Sequence, residues 1–487
     1  MPGPGNLFGT KSFRIAAGNW LERDQMDNTQ NYTGRKLLVL LLAVTLASFL
    51  TPFYTSMVNI ALPAIGESFA VPAETLAMLS TAYLISSVVF LVPAARIADI
   101  FGLRKVFVGG LCIAALASLA APFSVSIQML LACQMVAGIG FACVISNAIA
   151  LLSIIYPPSR RGAAIGITVA GVYLGMTAGP LIGGALTSVF GWSSIYLFVL
   201  VLCLTTALMV RLTVSTELFT TPGQPFDLRG SILYGFVILF LMSGLINLPD
   251  PFAVAALATG VILLLLFVYL EDRTKYPVFP IRLFTQNRVF ARANLTTMIN
   301  YGATFAVSFF MSLYLQVIGA LTPLEAGMVM IAMPVVQMIF SPVAGKLSDK
   351  IGGRVLMTAG LAVTGIGMAM FGFLGTGYNQ TAVMINLAVV GFGIALFGAP
   401  NTNLVLGSVA RRDNGSANSI LATMRQMGMV ISMAAATCCI VLFTGTGAGL
   451  GSNPAGLVAA MHLTFALGAI LSFAGAIIGW TAVPKKG

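Results

Sequence analysis

The basic residues of this chain are spaced by long apolar runs, and that alternation constrains the fold more than any other feature. Of the 25 Lys and Arg, 24 lie in segments between such runs, and the remaining one, Arg425, lies inside a run. The clusters fall at Lys11 to Lys36, Arg96 to Lys105, Arg160 and Arg161, Arg211 to Arg229, Arg273 to Arg292, Lys346 to Arg354, Arg411 and Arg412, and Lys485 and Lys486. Between consecutive clusters there is room for two apolar helices joined by a turn, and those turns carry Glu67, Glu74, Asp250 and Glu325 but no Lys or Arg. Short loops on the cytoplasmic side collect Lys and Arg because translocating them is unfavourable. Every basic cluster is therefore expected on the cytoplasmic side of a membrane, both termini included, and the number of helices is even.

Runs of about 20 apolar residues cross about 30 Å of hydrocarbon. Counted in that way, the chain yields 14 helices, at 37–62, 76–95, 106–123, 127–149, 162–187, 193–210, 231–248, 252–270, 293–317, 326–344, 355–374, 383–403, 416–443 and 458–480. They are numbered here in that order. With 8% of residues charged and 58% apolar, no stretch is left for a soluble domain. The net charge of +11 follows from the loop asymmetry, so it does not point to nucleic acid. Residues 1–34 are polar and lack the apolar core of a secretory signal, which predicts a short cytoplasmic tail. Cys112, Cys133, Cys143, Cys203, Cys438 and Cys439 all fall within predicted helices, as small apolar fillers, so neither a metal site nor a disulfide framework is expected.

Two loops repeat one pattern. Ala95-Arg96-Ile97-Ala98-Asp99-Ile100-Phe101-Gly102-Leu103-Arg104 joins helices 2 and 3, and Gly345-Lys346-Leu347-Ser348-Asp349-Lys350-Ile351-Gly352-Gly353-Arg354 joins helices 10 and 11. Matching Asp, Gly and Arg 250 residues apart indicate a duplicated unit. Each unit has six helices, residues 35–213 and 286–487, and residues 214–285 form a linker carrying an inserted two-helix hairpin. Two parallel six-helix halves around a midplane site is a transporter architecture.

The loop pattern G-x-L-x-D-x-x-G-x-R resembles the signature of the major facilitator superfamily. The second copy is complete, whereas the first has Ala95 for the leading Gly and Leu103 for a basic residue. An Asp at that position is suited to accept hydrogen bonds at the start of a neighbouring helix and to pair with the Arg of the loop. The resemblance implies a latch made by Asp99, Gly102 and Arg104 and by Gly345, Asp349, Gly352 and Arg354. Helix 5 carries Gly175-Met176-Thr177-Ala178-Gly179-Pro180-Leu181-Ile182-Gly183-Gly184, which resembles a motif of exporters in the antiporter branch. Gly171, Gly175, Gly179 and Gly183 clear one helix face and Pro180 permits a bend, so helix 5 is expected to pivot against a helix of the other half. Val58-Asn59-Ile60-Ala61-Leu62-Pro63, Phe226-Asp227-Leu228-Arg229-Gly230, Leu283-Phe284, Leu315-Gln316 and Arg425-Gln426-Met427-Gly428, together with the helix count, resemble the fourteen-helix drug:proton antiporters. The implied fold is all-α and integral to the membrane.

Two departures from that family matter. The helix 1 stretch Tyr54-Thr55-Ser56-Met57-Val58-Asn59 lacks the family's acidic residue, and helix 4 has Gln134 and Ala137 before Gly138 without the family's Arg. All 14 Asp and Glu fall in the tail, the loops or the helix ends. A proton-coupled antiporter ordinarily uses a buried carboxylate as its protonation site. His462, the only histidine, lies near the start of helix 14 and reads as a packed or interfacial residue.

What remains at depth is Arg425, about 14 Å from the cytoplasmic end of helix 13 at 1.5 Å per residue. An intramembrane arginine is either a structural pin or a fixed charge for an anionic substrate. Thr297, Asn300, Tyr301, Thr304, Ser308, Ser312 and Gln316 form a polar stripe on helix 9 that should face the cavity. Tyr54, Ser56, Asn59, Gln134, Ser146 and Asn147 in helices 1 and 4, with Asn401, Thr402 and Asn403 in helix 12, complete the expected pathway.

No G-x-x-x-x-G-K-[ST] segment is present, so ATP is not the expected driver, and one histidine without an intramembrane carboxylate argues against a membrane enzyme. A non-transporting membrane sensor leaves the two latch loops unexplained. The expected partners are a small-molecule substrate and the lipid bilayer, with protons as the candidate coupling ion, no cofactor, no nucleotide and no nucleic acid, and the working unit a monomer in the cell membrane. Two mechanisms stay open: exchange of amphipathic drugs or metabolites for protons, and weakly coupled export of an anionic or lipid-like substrate with Arg425 as counter-charge.

Overall fold

The computed structural model describes residues 34–156, 158–221, 223–246, 251–409, 414–445 and 453–482. The expected tail, Asp250, Arg411, Arg412, Lys485, Lys486 and the side chain of Asp349 lie outside the described residues. Among the described residues, fourteen helices are long and apolar enough to cross a membrane: α1 (Gly34–Phe69), α2 (Ala73–Phe101), α3 (Leu103–Phe123), α4 (Ile127–Ile155), α5 (Ala164–Phe190), α6 (Ser193–Thr213), α7 (Leu228–Ile246), α8 (Pro251–Arg273), α9 (Arg288–Ile318), α10 (Pro323–Ser348), α11 (Gly353–Phe373), α12 (Gln380–Gly407), α13 (Ser416–Thr444) and α14 (Pro454–Thr481). This is a multi-pass membrane protein. Each span carries large apolar side chains outward, as α8 does with Ile262 and Leu265, which only a hydrocarbon surround makes favourable.

Side-chain caps fix where several spans begin. Ser126, Asn287 and Asn379 accept from the backbone N–H groups of Met129, Phe290 and Ala382, satisfying donors a helix start leaves free. Thr322 and Glu325 form a reciprocal capping box at the start of α10. The repeated loops end α2 and α10 in the same way: Gly102 (φ 121°) and Gly352 (φ 91°) close each helix onto Ala98 O and Ser348 O and turn the chain into the next helix. Positive φ of that size is strained for any residue with a side chain. That requirement explains the matched glycines.

The two sets of six helices pack alike. In the first, α1 lies on α5, α2 on α4, α3 on α4 and α3 on α6; in the second, α9 lies on α13, α10 on α12, α11 on α12 and α11 on α14. Between the sets the most extensive contacts are α2 with α13, α5 with α10 and α1 with α9, the pairs that a pseudo-twofold axis exchanges. Of the inserted hairpin, α7 packs over the α2–α13 seam, where Tyr234 Oη donates to Val88 O at 3.1 Å. The rings of Tyr234, Phe267 and Phe279, with centroids 5.8 to 6.5 Å apart, bind the hairpin to the segment that follows it. The second set has two breaks in its central helices. One lies in α9 at Phe305, where Ser432 Oγ of α13 accepts from Ala306 N at 3.0 Å, and the other in α10 at Ile331.

Candidate functional site

The ends of the spans that carry the basic residues form one face of the molecule, and on the opposite face the two halves are closed together. Pro63 has no N–H, so the carbonyl of Asn59 one turn earlier lacks its helical partner. Ser312 Oγ of α9 donates to that carbonyl at 2.6 Å, and Gln316 Nε2 donates to Ile60 O at 3.0 Å. Beside this contact, Leu324 N donates to Ser188 Oγ at 3.2 Å. A Cβ on Gly184 would sit 2.5 Å from Pro323 O, and one on Gly327 would overlap Pro180 O. The backbones of α5 and α10 thus touch where any side chain would part them.

This geometry corrects the expected role of the glycine stripe. Cβ atoms added at Gly171, Gly175, Gly179 and Gly183 would meet Thr45, Phe49, Ser56 and Met57, all on α1. The stripe seats α5 on α1 within one half, and contact with the other half falls to Pro180 and Gly184. Ser56 belongs to this packing surface and lies half-buried against Gly179.

The polar stripe of α9 is also redistributed, and it does not line an open cavity. Its outer end binds α1 as above, while Asn401 Nδ2 of α12 donates to Thr297 Oγ1 at 2.6 Å. Thr304 turns back to Asn300 O at 2.8 Å, Ser308 is half-buried, and Asn300 is fully buried with neither amide atom bonded. Tyr54, Asn59 and Gln134 surround a gap of about 10 Å³ with Ser80, Tyr83 and Phe305, near the smallest space that holds one water. Tyr54 Oη donates to Gln134 Oε1, Gln134 Nε2 donates to Tyr196 Oη at 3.2 Å, and Ser80 Oγ donates to Asn59 Oδ1 at 2.8 Å. These bonds tie α1, α2, α4 and α6 together within the first half, while Tyr83 Oη beside them is buried without a partner.

Arg425 stands at the junction of both halves. Its guanidinium carbon lies 5.3 Å from the centroid of the Tyr301 ring, an attractive cation–π geometry. Its Nε is buried without a hydrogen-bond partner. Tyr173 of α5, within electrostatic reach of Tyr301 and Arg425, shares a hydrogen bond of 3.0 Å with Ser341 of α10. Gln426 Nε2 donates to Ser87 Oγ of α2 at 2.8 Å, so α13 is tied across the interface next to its arginine. Among the described residues no carboxylate pairs with Arg425, and the Arg282–Asp272 ion pair, at 3.4 Å, is exposed. Tyr173, Ser341, Ser87 and Gln426 were not singled out in the pathway from sequence. The available signal was a lone polar side chain on an apolar helix face, Tyr173 between Gly171 and Gly175, and Ser341 one turn before Gly345.

The first repeated loop departs from the expected pairing of Asp99 with Arg104. Thr220 Oγ1 donates to Asp99 Oδ1, and Thr220 N and Thr221 N donate to Asp99 O. The carboxylate at the start of α3 is instead Glu217, which accepts from Arg104 N at 2.8 Å and Lys105 N at 3.2 Å, while Arg104 Nη1 donates to Ser215 O at 3.0 Å. An anion at a helix N-terminus is stabilised by the free N–H groups and the helix dipole. A Cβ on Gly102 would overlap the Glu217 carboxylate, a second reason for glycine there. In the other loop Gly345 is open to Ala399 and Arg354 stacks on the Trp480 ring at 4.2 Å. His462 Nε2 bonds Leu374 O at 2.6 Å, joining α14 to the end of α11.

On the basic face a cavity of about 250 Å³ opens between α2, α4 and α13, under the segment Lys275–Pro280. Asp99, Ser146 and Asn147 line it together with Arg96, Lys275 and Ser416.

A family model described as Major Facilitator Superfamily matches residues 44–276 and 293–487. Multidrug resistance protein Stp of Mycobacterium tuberculosis is 30% identical over 406 residues, covering 82% of this chain and 75% of that protein. The riboflavin transporter RibZ of Clostridioides difficile is 25% identical over 396 residues, covering 81% and 86%. Among solved structures, a bacterial homolog of the human lysosomal transporter Spinster, in an inward-facing and unoccupied conformation, superposes with a TM-score of 0.68 at 17% identity, covering 93% of this chain and 100% of that one.

Proposed function

The chain belongs to the major facilitator superfamily, and on that premise we propose that it exports small amphipathic drugs or metabolites across the cell membrane by alternating access. The observation that carries this reading is the asymmetric contact between the halves, zipped by Ser312, Gln316, Gly184 and Gly327 on one face and opened by a cavity on the basic face. Loops rich in Lys and Arg are cytoplasmic, so on this reading the closed face is external, and the cavity and both chain ends are cytoplasmic. Rocking the halves about Tyr173, Tyr301, Ser341 and Arg425 would carry a midplane substrate to the far side. The multidrug-resistance and riboflavin-transporter relatives support a small organic substrate, drug or metabolite. The unit acts as a monomer, with Tyr54, Asn59, Gln134, Asn147, Asn300 and Asn401 shaping the helices around the pathway, and exchange for protons is the expected driving reaction.

A specific observation favours a second mechanism. Arg425 has an unpartnered buried donor and no carboxylate beside it among the described residues, which suits an anionic substrate group moved without strict proton coupling. Everted vesicles holding a pH gradient, followed with a pH-sensitive dye, separate the two. Collapse of the gradient on adding lipophilic cations supports proton exchange. Accumulation of organic anions without proton movement, lost in Arg425→Gln, supports the anion mechanism, and absence of both sinks the export reading.

A further inference from the structure

The cavity on the basic face has a chemistry of its own, separate from the midplane cluster. Its lining carries Arg96, Lys275 and Asp99, uncharged polar groups including Ser146, Asn147 and Ser416, and an apolar strip with Val92, Ala150 and Ile420. Arg96 and Asp99 share one face of α2 but are not paired. Arg96 Nη1 and Nη2 donate to Thr221 Oγ1 at 3.2 Å and Gln224 Oε1 at 2.6 Å, and Asp99 is held by Thr220, so each is engaged by the linker after α6 while the two remain within electrostatic reach of one another. Arg96 Nε is buried without a partner. Lys275 is exposed at the rim, with its ammonium 5.4 Å from the Tyr276 ring. Two cations against one engaged carboxylate leave the lining net positive. Its inner end is shut by Leu91, Ala142 and Ala422, a small buried cluster from the same three helices, and one turn further along α13 lie Arg425 and Gln426.

We propose that this cavity is a vestibule that binds the anionic end of an amphipathic organic acid before it reaches the midplane. The volume, about 250 Å³, lies just below the roughly 300–1,000 Å³ of ligand pockets and suits a carboxylate or sulfonate on one or two fused rings. Arg96 and Lys275 hold the oxyanion, the Val92–Ala150–Ile420 wall takes the rings, and separation of Leu91 from Ala422 opens the way inward. The word vestibule rests on the export reading above, whereas the anion site stands on the cavity alone.

The test places a thiol in the cavity through Ser416→Cys, in a full-length chain whose exposed Cys112 is replaced by Ser. Its reaction rates with an anionic (sulfonatoethyl) and a cationic (trimethylammonioethyl) methanethiosulfonate are each divided by the rate with free mercaptoethanol. The normalised anionic rate should exceed the cationic one, and Lys275→Gln should lower the anionic rate roughly two- to fourfold, the effect of one charge about 5 to 10 Å away in a water-like dielectric. Lys275 is an exposed linker residue, so its variant keeps the test valid even where Arg96→Gln fails to fold. 2-Naphthoate should protect the thiol and naphthalene-2-carboxamide should not. Equal normalised rates, or protection by the amide as strong as by the acid, would overturn the proposal. Protection without any anion transport in vesicles upholds the site and removes the export reading, and transport without protection does the reverse.

Discussion

Arg425 is the residue whose removal should say most. A charge-assisted contact is worth about 1.5–3 kcal/mol, so Arg425→Gln should lower vesicle transport by roughly 10- to 100-fold, while Asp99→Asn, whose partner is a threonine hydroxyl, should slow switching without abolishing it. Normal transport by Arg425→Gln would remove the counter-charge role. A second residue-scale prediction concerns Asn59 O. Ser312→Ala leaves a carbonyl that Pro63 has already deprived of its helical partner, and a buried unsatisfied group costs about 1–3 kcal/mol. The variant should shift the protein away from closure on the non-basic face, measured as faster labelling of a cysteine placed there. Adding Pro63→Ala should recover part of the shift. Arg425 was legible in the sequence because it is the one basic side chain inside an apolar run. Tyr173 and Ser341 were not, since helical periodicity assigns a residue to a face but does not identify the helix that face meets.

At the scale of the helix, α5 shows the same boundary. A glycine every fourth residue announced a close contact, and one exists, but its partner is α1 rather than a helix of the other half. Spacing fixes the distance of approach while leaving the neighbour open. The distinction is testable with two variants of the same chemistry. Gly175→Val overpacks the α1–α5 contact inside one half and should cost about 1–3 kcal/mol, seen as a lower melting temperature of the purified protein. Gly327→Val meets Pro180 across the interface and should leave the melting temperature nearly unchanged while holding the non-basic face open. Equal melting losses would mean that the α5–α10 contact is part of the fixed core. The latch loops carry a related lesson. Their glycines followed from the motif and take the positive φ it implies, whereas Glu217, which caps α3, comes from a linker more than 110 residues downstream with no pattern to mark it.

For the whole molecule, the count of spans followed from apolar length, whereas their ends did not: α1, α2 and α4 run six or seven residues past the expected ends, and α2 continues through Arg96, because a helix keeps its backbone bonds beyond the apolar run. The pseudo-twofold pairing of α2 with α13 and α5 with α10 follows from duplication once each half folds alike. What duplication does not supply is asymmetry, and the inserted hairpin supplies it. Its leading linker is bonded to the α2–α3 loop through Glu217 and Thr220, and its trailing segment stacks Phe279 on Phe284 and Phe284 against Phe290 at the start of α9. One end is thus anchored to the first half and the other to the second, with α7 lying along the seam between them. On the export reading, the hairpin would act as a strap across the joint, limiting how far α2 and α13 separate and with that the bulk of the cargo that passes between them.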